Sequence, residues 1–154
     1  MQNGETVLML AAKEGHRALV ELLLDQPKAN INSTDVAKGR TALHYAAAAD
    51  AAEFVHFLVE KGADVALKDD SEETALHVAA WHGHHETATA LVKHGAALDA
   101  LNHVNKTPRE VAIRRGHNAL GLLLEPVTQD SYKSRYWYEE MIGSTESEQT
   151  PEAS

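Results

Sequence analysis

The chain of 154 residues has no cysteine, four prolines, only eight aromatic residues (Phe 2, Trp 2, Tyr 4), and no uninterrupted apolar run long enough for a membrane helix. The missing cysteine removes disulfide frameworks, thiolate zinc sites and cysteine nucleophiles together, and is compatible with a reducing compartment. Positive charge is scarce too: 14 Lys and Arg against 23 Asp and Glu give a formal net charge of −9. That balance argues against a nucleic-acid partner, because duplex affinity comes mostly from Lys and Arg neutralising phosphates. The start, Met1-Gln2-Asn3-Gly4-Glu5, lacks a basic stretch followed by an apolar run and does not read as a secretory signal. The expectation is a soluble intracellular protein, without membrane or nucleic-acid partners, in the cytoplasm and with the nucleus as a second compartment. What the chain has in quantity is alanine, 25 residues, which points to helices packed closely on one another.

Four segments align without gaps: Gly4-Glu-Thr-Val-Leu-Met-Leu-Ala-Ala12, Gly39-Arg-Thr-Ala-Leu-His-Tyr-Ala-Ala47, Glu72-Glu-Thr-Ala-Leu-His-Val-Ala-Ala80 and Asn105-Lys-Thr-Pro-Arg-Glu-Val-Ala-Ile113. Their threonines, Thr6, Thr41, Thr74 and Thr107, are spaced by 35, 33 and 33 residues. A second pattern follows downstream, with Gly15-His16, Gly83-His84 and Gly116-His117 each preceding an apolar helical stretch. Gly62-Ala63-Asp64-Val65 and Gly95-Ala96-Ala97-Leu98 sit between units. A period of this length is the mark of a repeat architecture. The chain resembles the ankyrin repeat over residues 2–125, with every unit in register. The resemblance implies an all-α solenoid of four helix-turn-helix units with short finger turns, at about 1–35, 36–68, 69–101 and 102–125.

Local physics points the same way. Thr41 and Thr74 can N-cap a short helix, and Thr107 with Glu110 forms a capping box around Pro108. The glycines at 15, 83 and 116 stand where a first helix must stop. Each helix pair is too small to bury its apolar face alone, so stability is expected from stacking. The pattern breaks in places. Glu72 and Asn105 replace the finger glycine, so the acidic third finger, Asp69-Asp70-Ser71-Glu72-Glu73, is expected to turn differently or carry strain. Asp50 replaces an interhelix glycine and is read as an N-cap of the following helix. Arg109-Glu110 replaces Leu-His in unit four, suiting a terminal unit, and the first finger, at Met1, is expected to fray.

Ten histidines raise the question of catalysis or metal binding. The resemblance implies that His44, His77, His16, His84 and His117 are structural, while His56 is expected in solvent on an outer helix face. Trp81-His82-Gly83-His84-His85 with His94 is the one metal-like constellation, and a repeat frame does not obviously converge these on a tetrahedral centre. No catalytic triad order or phosphate-binding glycine loop is present. No enzyme activity, cofactor or metal is therefore expected.

The resemblance implies binding through a concave face built from fingers and first helices. On that face it places Lys13 and Glu14, Ala48 and Ala49, Trp81 and His82, and Arg114 and Arg115 at helix ends. At the fingers it places Lys38, Arg40, Asp70, Glu73, His103 and Lys106. Trp81 has two readings: a partner anchor together with Arg114 and Arg115, or a local cation–π contact with His82 or the next unit's Arg114. Beyond Glu125 the repeats stop, and residues 125–154 carry a net charge of −5, leaving −4 for the rest. Within 126–143, Tyr132, Tyr136, Trp137 and Tyr138 mark an aromatic segment, read either as a capping helix on unit four or as a contact for a second protein. Residues 144–154 lack apolar periodicity and are expected to be disordered, with Thr150-Pro151 a weak phosphorylation match. Asn32 matches a family position for hydroxylation.

The leading expectation is a monomeric, non-catalytic protein–protein interaction module. The alternatives are a regulatory subunit of an enzyme, a fragment of a larger ankyrin protein, and a histidine-cluster metal binder.

Overall fold

The computed structural model describes residues 6–27 and 29–125. The described residues form four helix pairs: α1 (Val7–Glu14) with α2 (Arg17–Leu24), α3 (Ala42–Ala48) with α4 (Ala52–Glu60), α5 (Ala75–His82) with α6 (His85–Lys93), and α7 (Pro108–Arg114) with α8 (Asn118–Leu123). Within each pair the helices run back to back. The inner helices α1, α3, α5 and α7 stack in sequence, while among the outer helices only α4 and α6 are extensively packed together. None of these helices is long and apolar enough to cross a membrane.

Each inner helix begins the same way. The hydroxyls of Thr6, Thr41, Thr74 and Thr107 accept from the backbone N–H three residues on, satisfying a donor that a helix start leaves orphaned. Alanine then decides how closely the stack closes. Ala11, Ala12, Ala46, Ala47, Ala79, Ala80 and Ala112 are buried, and a methyl is all that separates one inner helix from the next. Leu8, Leu43, Leu76 and Val111 on the same helices, with Val20, Val55, Leu58, Leu91 and Leu120 on the outer ones, complete a single core threaded through all four units.

The fingers share a device that the repeat alignment alone did not expose. Asp35, Asp69 and Asn102 are buried at equivalent positions, and each side-chain Oδ1 accepts two backbone N–H groups of its own finger. Asp69 therefore turns inward onto amides, and the third finger's carboxylates are not a simple cluster in water. Glu72 (φ 59°) and Asn105 (φ 60°) take the left-handed conformation that Gly39 takes (φ 67°), so the third finger turns as the others do. For Glu72 that conformation costs about 1–2 kcal/mol. Neighbouring fingers are tied by backbone bonds from Asp70 N–H to Lys38 O (2.9 Å) and from His103 N–H to Ser71 O (3.0 Å).

Asp50 corrects an expectation. It does not cap α4, whose N-cap residue is Ala51 with no side-chain bond. Asp50 instead adopts the left-handed conformation itself (φ 58°), and its carboxylate accepts from the Thr87 hydroxyl of unit three at 2.9 Å. Where α2 and α4 separate, two open clefts of about 640 and 460 Å³ lie between units one and two. The first is lined by Glu21, Leu24 and Lys61, the second by Gly15, Asp50 and Phe54 among others.

Candidate functional site

The inner helices project their last turns, and the fingers their tips, from one side of the stack. What holds that side in place is a set of histidines. His44 Nδ1 accepts from Thr41 N–H (3.2 Å) and its Nε2 lies 2.8 Å from Glu73 O; His77 repeats this with Thr74 N–H (3.2 Å) and Lys106 O (2.9 Å). With Nδ1 accepting, Nε2 must carry the proton, so both rings are neutral and each donates across to the next unit. Burial, the largest influence on either ring, depresses both pKa values. His84 and His117 work in the opposite sense. Their Nε2 atoms reach back to the carbonyls of Ala48 and Trp81 in the preceding unit, each at 3.2 Å.

Trp81 stands at the end of α5 with 45% of its surface exposed. The guanidinium of Arg115 lies over its ring, 4.1 Å from the centroid. The local partner is therefore Arg115, where the sequence suggested Arg114; Arg114 is exposed in the last turn of α7. Beside Trp81, the His82 ring stacks on His84 (5.3 Å, 16° between planes), and burial followed by the His84 charge lowers its pKa. Ala48 and Ala49 form the low ground next to this ridge, half-buried and exposed respectively.

The remaining finger and helix-end residues divide by what they touch. Arg40 bonds the buried Asp69 through Nε (3.1 Å) and approaches Glu73 through Nη2 (3.9 Å), so it knits finger two to finger three. Burial, then the Asp69 charge, raises the Glu73 pKa, with Arg40 opposing. Lys38, Asp70 and His103 are exposed, His103 Nδ1 lying 3.1 Å from Ser71 O, and Lys106 is half-buried. Lys13 and Glu14 are exposed at the end of α1, with the Lys13 ammonium 5.8 Å from the Tyr45 ring centroid. Val36 (83% exposed) and Val104 (53%) project from the second and fourth fingers as apolar tips; the family pattern places Val104 at a finger position, while sequence reasoning passed over Val36. Tyr132, Tyr136, Trp137 and Tyr138 lie outside the described residues.

The histidine constellation comes apart. His82 and His84 stack, while His94 sits on the outer side against His56, Nδ1 of His56 to Nε2 of His94 at 2.7 Å. His56 is thus paired across units rather than simply solvated. Among the described residues, no group of three or more His, Cys, Asp or Glu is placed to hold a metal ion.

Models of ankyrin repeats match this chain, one of three copies over residues 1–69 and one of many copies over residues 49–92. The stacked helix pairs, the threonine caps and the cross-unit histidines are the geometry such a match requires. The chain is an ankyrin repeat protein. The mouse ankyrin repeat and SAM domain-containing protein 6 is 44% identical over 66 residues, a stretch covering 43% of this chain and 7% of that protein. The chain thus matches a small part of that relative's length. Ankyrin repeats generally mediate protein–protein interaction and are a non-catalytic interaction fold.

Proposed function

We propose that this ankyrin repeat protein is an adaptor that grips another protein on its concave inner face, around Trp81. The observation that carries the reading is the half-exposed Trp81 ring held under the Arg115 guanidinium, an aromatic–cation pair of the kind that dominates interface energetics. Around it the face is cationic through Arg114, Arg115 and Lys106, and the Ala48–Ala49 floor leaves room for a side chain of the partner. A segment pairing an apolar or aromatic residue with a carboxylate fits both features. The acidic third finger, through Asp70 and Glu73, disfavours the same segment running the other way along the face.

The test uses the full chain as bait beside two variants, Trp81→Ala/Arg115→Ala and a control on the outer face, Glu60→Ala. Proteins held by native chain and control but lost from the folded double variant support the reading. The loss expected for removing such an anchor is about 30-fold or more in affinity. Undiminished binding by a double variant with native helicity overturns it.

A further inference from the structure

The His56–His94 pair occupies the one place where outer helices of adjacent units pack extensively, α4 against α6. Both rings are half-buried, and their facing nitrogens are 2.7 Å apart with ring centroids at 4.8 Å. A contact this short between two imidazoles requires one N–H and one lone pair, so one ring donates and the other accepts. His56 stands within α4 and His94 is the C-cap residue of α6, so the packing of α4 on α6 brings two nitrogen ligands from different units to one point.

We propose that His56 and His94 form a two-imidazole site for a divalent transition-metal ion of the copper(II) or nickel(II) class, clamping unit two to unit three on the outer face. Ligand type and a short bite favour this class. With metal–nitrogen bonds of about 2.0 Å, two nitrogens bound cis at a right angle lie about 2.8 Å apart, whereas tetrahedral binding spreads them to about 3.3 Å. The present 2.7 Å is the hydrogen-bond distance, and from it the right-angle bite of tetragonal copper(II) or nickel(II) is reached with less displacement than the tetrahedral one. Copper(II) also stands highest in intrinsic affinity for such ligands. Binding asks the donor ring to move its proton, through water, to its other nitrogen, so both facing nitrogens present lone pairs with no net proton lost. The rings then turn so that both lone pairs point at the ion. Since no third protein ligand is grouped with the pair among the described residues, water fills the other positions and the site is a modest-affinity one.

The test is thermal unfolding of the untagged full chain with one equivalent of copper(II), nickel(II) or zinc(II) salt, each against a metal-free control. At a copper concentration well above the dissociation constant the melting temperature is expected to rise by about 5 °C. His56→Ala and His94→Ala, each compared with its own metal-free control, are expected to lose the rise, and His82→Ala/His85→Ala to keep it. Copper(II) electron paramagnetic resonance of the native chain is expected to show coupling to two imidazole nitrogens, falling to one at most in either single variant. No rise in the native chain, or a rise that survives either His56→Ala or His94→Ala, overturns the site. A larger rise with zinc than with copper overturns the tetragonal assignment.

Discussion

The junction between units two and three and the junction between units one and two are built on one repeat pattern by different means. At the central junction His44 donates to Glu73 O, Arg40 reaches Asp69 and Glu73, His84 reaches back to Ala48 O, and Thr87 donates to Asp50. Its outer helices are packed together as well. At the first junction the histidine position is taken by the fully buried Met9, and α2 and α4 part to leave open clefts. Asn32, bonded to Gly62 O and Asp64 N–H, Arg17, 4.5 Å over the Phe57 ring, and the Lys13 ammonium near the Tyr45 ring cross-stitch this junction. One junction is polar and directional, and the other relies on apolar packing. The lesson is that equal repeat spacing does not produce equal coupling.

The comparison breaks most sharply under acid. His44→Ala is expected to lower stability by about 2–4 kcal/mol, through lost packing and the unpaired Glu73 carbonyl. Met9→Ala is expected to cost a similar amount through its cavity. The pH profile separates them. His44 and His77 have folded pKa values depressed below the ordinary 6.5, so their contribution is full above that value. It is lost as pH falls from there toward the depressed folded values, because the unfolded chain takes up protons first. Urea unfolding followed between pH 7.5 and 5 should show a shallower acid loss for His44→Ala and an unchanged one for Met9→Ala. Equal acid losses would refute the neutral, donating role given to His44.

A smaller effect is expected from Arg40→Ala. It strips Asp69 Oδ2 of its guanidinium donor inside the buried finger, where the Asp69 side chain is only 3% exposed. The cost is about 1–3 kcal/mol by the same unfolding measurement, and a change within 0.3 kcal/mol would show that water replaces the guanidinium. The smallest effect has the opposite sign. Glu72→Gly relieves the left-handed strain and is expected to stabilise by about 1 kcal/mol, while Gly39→Ala, at the equivalent turn and against Asp70, destabilises.

Much of this fold is legible in the sequence because it is local or periodic. The four threonines announce caps that need only a residue three positions away, and the paired alanines announce close inner helices. What escaped reading depends on residues some thirty positions apart meeting in space. Asp50 looked like a cap because aspartate caps helices well, yet its carboxylate is claimed by Thr87, a partner invisible without the stack. Arg115 rather than Arg114 covers Trp81 because adjacent helical residues point about 100° apart, and the register in a final turn decides which one faces the preceding unit. His56 looked solvated on its own helix and His94 looked like a member of the 82–85 histidine group, and the two became a pair once α4 and α6 packed together. The exposed Val36 tip was overlooked because an apolar residue at a turn carries no pattern of its own.

The parting of α2 from α4 bears on mechanics as well as stability. Among the described residues the stack is held continuously along its inner rail but closed along its outer rail only between units two and three, which implies unequal compliance along its length. Unit one is held to unit two mainly along the inner rail, whereas units two and three are joined along both rails. On the reading proposed above, a partner seated on Trp81 would rest against the firmly joined units two and three, with unit one as the more compliant end.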